Sequence, residues 1–244
     1  MYMSKYICRS IIKQIGSRGI HLTPIFQSEY DKLYTRPVAR WTALDMIKEK
    51  FGLYRYNRAR MQDSSVYMYL SISDDLPVLN FFKYCELPDT YFSWYLVTQL
   101  HVWMIMTQCS AAGSDGKYIN QELVKRLWED AHERMKKLGR FDVKTQNEVM
   151  KDLHGVFIAS LFGYDEGLLS DDKVLAAALW RHYFSFSDVD PLILEMMVSY
   201  VRTQLKHISG LSSDYLLSRG RIVWKPFDPL IRKEDLPKLK VVQS

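Results

Sequence analysis

From Tyr91 to Met106 the chain reads YFSWYLVTQLHVWMIM. Wound on a helix, this run is apolar nearly all round. A helix of that kind is buried, either in a large core or in a membrane. The 16 residues include Ser93, Thr98, Gln99 and His101 and fall short of the roughly 20 mainly apolar residues that a span requires. The stretch therefore reads as the central buried helix of an all-α domain. Leu87-Pro88-Asp89 starts it, and it runs to about Ala112.

Working outward, the punctuation stays helical. Asp75-Leu76-Pro77 starts a short helix through Cys85. Gly113-Ser114-Asp115-Gly116 reads as a turn. A helix over 117–138 follows, with Ile119, Leu123, Leu127 and Ala131 four apart and Gly139 closing it. Asp142 caps the next, expected to end at Gly163, so that Gly163-Tyr164-Asp165-Glu166-Gly167 reads as an interhelix loop. Ser170 caps another, with Asp171 and Asp172 in its first turn, where the helix dipole favours anions. Asp190-Pro191 is a cap followed by proline at the first helical position, and Gly210 ends that helix. Residues 212–218 make a last short turn of helix. Upstream, Pro37 opens a short helix through Lys50, whereas residues 53–75 are ambiguous: Val66 to Ile72 fits a short strand or another helix.

The expected architecture is a single all-α domain of six to eight helices with an extended C-terminal tail. Its length of 244 residues, 48% hydrophobic, can bury a real core and excludes global disorder. Only 11 glycines and 8 prolines disfavour a many-stranded sandwich or barrel. Three cysteines, Cys8, Cys85 and Cys109, neither staple a secreted scaffold nor sit at zinc-ligand spacing. The chain divides into residues 1–27, a leader; 28–75, a basic and less regular segment; 76–218, the helical domain; and 219–244, a basic extended tail.

The net charge of +5 is unevenly placed. Residues 1–27 carry Lys5, Arg9, Lys13 and Arg18 and no acid. Tyr6, Ile7, Ile11, Ile12 and Ile15 lie between those bases, so a helix here has one apolar and one cationic face. That is the mitochondrial presequence pattern, and the mature chain would begin near Ser28. The remaining chain holds 29 bases against 28 acids, too balanced for an electrostatic nucleic-acid binder. Residues 61–218 hold 14 bases against 21 acids, an acidic centre between two basic ends. Those ends supply Arg55, Arg58 and Arg60, and Arg219 and Arg221, as basic surface candidates facing anionic lipid or ribosomal RNA.

No catalytic, cofactor-binding or metal-binding residues are expected. The sequence has no phosphate loop, dinucleotide fingerprint, His-Glu-x-x-His or Cys-x-x-Cys. Glu129 and His132 have the spacing of half a di-iron carboxylate site, but no second copy accompanies them. His101 reads as a core histidine satisfied by a neighbour, and Cys109 as core. Six tryptophans, 16 tyrosines and 11 methionines exceed what a core alone needs and suit an adaptable protein interface. Trp94, Trp103, Trp128, Trp180 and Trp224 are the protein-binding candidates.

Several ordered motifs resemble the ubiquinol–cytochrome c reductase chaperone family. They begin with Cys85-Glu86-Leu87-Pro88-Asp89-Thr90, Ser93-Trp94 and Leu100-His101-Val102-Trp103-Met104. Gly116-Lys117-Tyr118, Leu127-Trp128-Glu129-Asp130, Gly163-Tyr164-Asp165-Glu166-Gly167 and Leu169-Ser170-Asp171-Asp172 continue them. Leu175-Ala176-Ala177-Ala178-Leu179-Trp180-Arg181, Asp190-Pro191, Tyr200-Val201-Arg202 and Trp224-Lys225-Pro226 complete a match over residues 36–227. The resemblance implies a non-enzymatic assembly factor for mitochondrial respiratory complex III, on the matrix side of the inner membrane. It implies that the chain pairs with a small helical assembly factor and binds nascent cytochrome b. Contact with the mitochondrial ribosome near its tunnel exit and peripheral contact with the inner membrane are further expectations. The alternatives are a ribosome-associated translation factor and a helical small-molecule or di-iron enzyme.

Overall fold

The computed structural model describes residues 57–139 and 142–227. Among them are eight helices and no strand: α1 (Arg58–Ser73), α2 (Val78–Tyr84), α3 (Tyr91–Ser110), α4 (Gly113–Lys137), α5 (Val143–Leu169), α6 (Asp172–His182), α7 (Pro191–Ser209) and α8 (Ser213–Ser218). The leader, Arg55 and the expected helix over 37–50 lie outside the described residues.

The central helix is where the sequence puts it. Thr90 caps α3, its Oγ1 accepting from Ser93 N at 3.2 Å. From Tyr95 to Met106 every residue of α3 is buried. Helix α4 packs antiparallel on it after a turn in which Gly113 takes φ +66°. The expected turn over 113–116 is therefore shorter, and Ser114 to Gly116 are already helical. Helices α1, α2 and α7 pack on the remaining sides of α3, while α5 and α6 form a hairpin against α7 and α4. One hydrophobic cluster joins all eight helices.

The ambiguity over 53–75 resolves as α1, capped by Asn57, whose Oδ1 accepts from Ala59 N at 2.7 Å. Its buried face mixes Met61, Met68 and Ile72 with Ser64, Ser65 and Ser71. Each serine hydroxyl donates to a backbone carbonyl: Ser64 to Leu216 at 2.6 Å, Ser65 to Gln62 at 2.7 Å and Ser71 to Met68 at 2.6 Å. Buried hydroxyls satisfied this way carry no desolvation penalty, yet they erase the apolar stripe.

Two boundaries move. Helix α5 does not end at Gly163; it continues through the expected loop to Leu169. Gly163 and Gly167 stand one turn apart on the face turned to α6. A Cβ on Gly167 would lie 2.7 Å from Leu175 Cα, and one on Gly163 would lie 2.5 Å from the His182 ring. The glycines are there to let α6 approach, not to end a helix. At the next junction Asp171, not Ser170, caps α6, its Oδ1 accepting from Val174 N at 3.0 Å. Asp190 caps α7 through Leu192 N at 2.9 Å, with Pro191 first in the helix and Gly210 closing it, as expected.

Residues 220–227 form neither helix nor strand. They nevertheless bind tightly across α1, α2 and α7. Ile222 and Phe227 are buried, and Phe227 stacks on Phe81 with centroids 4.8 Å apart. The Gln204 side chain holds both backbone groups of Lys225, donating to its carbonyl at 2.7 Å and accepting from its N–H at 3.2 Å. This part of the tail is a strap sealed into the core rather than a loose extension. Residues 228–244 lie outside the described residues.

Candidate protein-binding surface

The polar centre of the fold is His101, wholly buried on α3. Its Nδ1 lies 2.7 Å from the Val97 carbonyl and its Nε2 2.8 Å from the Tyr200 hydroxyl. A carbonyl only accepts, so Nδ1 carries the hydrogen and Nε2 accepts from Tyr200. Phe81 and Trp224 meet the ring edge-on at 5.3 and 4.7 Å. Burial holds the imidazole down to about 4, so it stays neutral in the fold. Both ring nitrogens are engaged and apolar rings surround the rest. The residue is structural, as the sequence suggested, though its partner is Tyr200 rather than Thr98.

A pH dependence follows. Unfolded histidine titrates near 6.5 and the folded one near 4, so between those values the unfolded chain binds the extra proton. The contribution of neutral His101 is full above pH 6.5 and is lost as pH falls toward 4. At pH 5 it should cost about 2 kcal/mol relative to pH 7. Melting at pH 7 and pH 5 should show this loss, and His101→Gln should flatten it. An equal pH 5 loss in that variant would assign the effect elsewhere.

The five tryptophans occupy five different settings. Trp103 is in the core, 2% exposed, and donates from Nε1 to Asp165 at 2.7 Å. It has no surface to offer a partner. Trp128 is half-buried among Tyr95, His154 and Phe157. Trp224 belongs to the strap and donates to the Ser71 carbonyl at 2.8 Å. Trp94 is half-buried, with the Arg134 guanidinium 4.3 Å above its ring and Arg134 bound to Asp130 at 2.8 Å. Trp180, on α6, is exposed.

The basic candidates are drawn together from opposite ends of the chain. Ser64 on α1 bonds Leu216 on α8, 152 residues away, and Gly220 packs directly on the Ser64 backbone. Arg60, one turn before Ser64, and Arg219 thus lie on the same side of the molecule, both exposed. Arg58 is partly spent on packing, with its guanidinium 5.1 Å from the Tyr118 ring centre. Arg221 pairs with Asp75 at 3.0 Å and helps to fasten the strap. A cleft of about 280 Å³ opens beside that pair, lined by Phe81, Tyr200, Trp224 and Phe227.

Glu129 faces solvent in ion pairs with Arg126 at 3.3 Å and Lys125 at 4.0 Å. Among the described residues no three metal-ligating side chains converge. The Cys85 and Cys109 thiols are buried and pushed up to about 12, so neither is a ready nucleophile. No helix among the described residues is long and apolar enough to cross a membrane. The chemistry available is recognition by exposed apolar and charged side chains. Sequence reasoning missed Phe186, 63% exposed beside Trp180. Its signal was an aromatic residue in the polar Ser185–Asp190 loop, where no core demands one.

Comparison with known proteins agrees with this non-catalytic picture. The chain is 40% identical over 189 residues to a protein named ubiquinol-cytochrome-c reductase complex assembly factor 1 from Xenopus laevis, covering 78% of this chain and 92% of that one. It is 34% identical over 198 residues to the protein of the same name from Drosophila melanogaster, covering 80% and 76% respectively. The crystal structure of the Cbp3 homolog from Brucella abortus superposes with a TM-score of 0.57 at 20% identity, over 76% of this chain and 98% of that one, a likeness of fold. The sequence profile described as ubiquinol-cytochrome C chaperone matches residues 83–224, and with the relatives above it places this chain in that family.

Proposed function

We propose that this protein is a mitochondrial assembly factor for respiratory complex III, acting with a small helical partner to bind and stabilise newly made cytochrome b. The observation that carries the reading is the family match over residues 83–224, together with relatives named for complex III assembly. The geometry supports it in kind. The fold spends its buried histidine, cysteines and tyrosines on packing, and leaves apolar and aromatic side chains such as Phe162, Leu169, Trp180 and Phe186 exposed. Apolar segments of an unassembled membrane protein aggregate unless covered, and such side chains can cover them.

The acid-free leader supports a mitochondrial address. Arg60 and Arg219, gathered on one side, suit orientation toward an anionic surface on the matrix side, each worth about 1 kcal/mol there. That surface is the inner membrane or ribosomal RNA near the tunnel exit. The reading predicts no catalytic turnover.

Cells lacking the chain should lose cytochrome b and assembled complex III while retaining their other mitochondrially encoded proteins. Pulse labelling and native gels read both quantities. Uniform loss of all mitochondrial translation products would favour a general ribosome factor. Normal complex III would remove the assembly reading.

A further inference from the structure

The hairpin of α6 and the loop after it contains the most strained exposed segment in the described fold. Ser185 and Phe186 both adopt left-handed backbone, φ +53° and +60°. Neither is glycine, and two consecutive residues in this region are costly. The loop is nonetheless tightly fixed. Phe186 N donates to the Trp180 carbonyl at 3.0 Å, Ser187 N to the Phe184 carbonyl at 3.0 Å, and the Ser187 hydroxyl to the same carbonyl at 2.6 Å. Trp180 Nε1 donates to the Ser187 carbonyl at 3.0 Å, and the Phe186 ring meets the indole edge-on at 5.2 Å.

Strain held by many hydrogen bonds is ordinarily repaid by burial. Here it is not, since Phe186 is 63% and Trp180 39% exposed. The loop spends backbone energy to hold two large aromatic rings in one fixed, outward arrangement. Rigid, preorganised aromatics of this kind are what protein interfaces use as anchors, because little side-chain freedom remains to be lost on binding. The charge beside them selects the partner. Ser185–Asp190 carries Asp188 and Asp190 and no base, both acids are exposed, and neighbouring Arg181 is compensated by Glu166 at 3.8 Å. Two anions repel an anionic bilayer or a nucleic acid and attract a cationic protein segment.

We infer that Trp180 and Phe186 form a docking site for a basic amphipathic helix of a partner protein, its apolar face on the two rings and its lysines or arginines on Asp188 and Asp190. This goes beyond the assembly role, which names no surface, and it stands or falls separately from the identity of the client.

The test uses the full mature chain and two labelled 18-residue helical peptides, one of leucine and lysine, the other of leucine and glutamate. Fluorescence anisotropy should show the lysine peptide binding at least tenfold more tightly. Phe186→Ala and Trp180→Ala should each weaken it about tenfold, and Asp188→Lys should abolish the charge preference. Leu79→Ala, at an equally exposed apolar residue on α2, should change nothing. Phe186→Gly separates docking from folding. It removes the ring and the left-handed strain together, so it should melt no lower than the parent and still lose the peptide. Equal binding of both peptides, or undiminished binding by Phe186→Ala and Phe186→Gly, would overturn the inference. So would Phe186-dependent binding to cardiolipin vesicles in place of the lysine peptide, which would assign the rings to lipid. Binding that shifts only with Leu79→Ala would place the site elsewhere and overturn it too.

Discussion

Trp103→Ala should cost about 4 kcal/mol of folding stability, in the range measured for large aromatic deletions from packed cores. The ring is 2% exposed on the central helix, packs on Tyr164 at 5.1 Å and ties α3 to α5 through Asp165. Removing it leaves a cavity bounded by the helices that define the fold, and takes away the Asp165 donor. The melting temperature should fall by about 10 °C. Trp180→Ala, by contrast, should cost under about 1 kcal/mol, because its ring is already largely in solvent. The sequence offers both residues as interface candidates, so the pair separates a core tryptophan from a surface one. Chemical denaturation of the two variants measures it. A Trp180 loss equal to that of Trp103 would contradict the placement of either ring.

Gly167→Leu should be nearly as damaging. Its Cβ alone would stand 2.7 Å from the backbone of Leu175, which cannot move without shifting α6. Overpacking of this kind costs about 3 kcal/mol, and here the α5–α6 hairpin would have to open. The Arg202 guanidinium would be disturbed with it, since it closes the hairpin end by donating to the carbonyls of Gly167, Leu168 and Ser170 at 2.9 to 3.1 Å. Gly163→Ala should cost less, near 1 kcal/mol, because the obstacle there is a histidine ring that can turn. If Gly167→Leu melts like the parent chain, the helix pair is not packed as described and the Gly163–Gly167 segment returns to a loop.

These glycines illustrate what the sequence could and could not say. Wherever an element begins with a side-chain cap, the boundary was legible: Asp142, Asp190-Pro191 and Ser212 each open a helix where expected. The all-apolar run at α3 was equally plain, because no other environment tolerates it. Gly163 and Gly167 were misread because a glycine in sequence looks the same whether it frees a turn or admits a neighbour. Only the position of Leu175 distinguishes the two. Helix α1 was ambiguous for a related reason. Its buried face carries serines whose hydroxyls are satisfied by carbonyls, one of them 152 residues away, so no local periodicity marks it.

The candidate surface was less legible still. An indole that packs and one that binds have the same composition. The five tryptophans divide only when Asp165, Ser71 and Arg134 are found beside Trp103, Trp224 and Trp94. The basic ends were visible as charge runs, but their convergence beside Ser64 is a product of the fold. It also reduces the set: Arg221 is bound to Asp75 and Arg58 lies over Tyr118, which leaves Arg60 and Arg219 as the exposed pair among the described residues.

The central claim is that this helical domain holds newly made cytochrome b for complex III. Affinity capture of the tagged chain from mitochondria, immediately after a radioactive pulse of organelle translation, tests it in one lane. The predicted result is labelled cytochrome b as the dominant captured product, with a small unlabelled protein recovered in proportion to the bait. Capture of every labelled product together with ribosomal proteins, or of no labelled product at all, would contradict it.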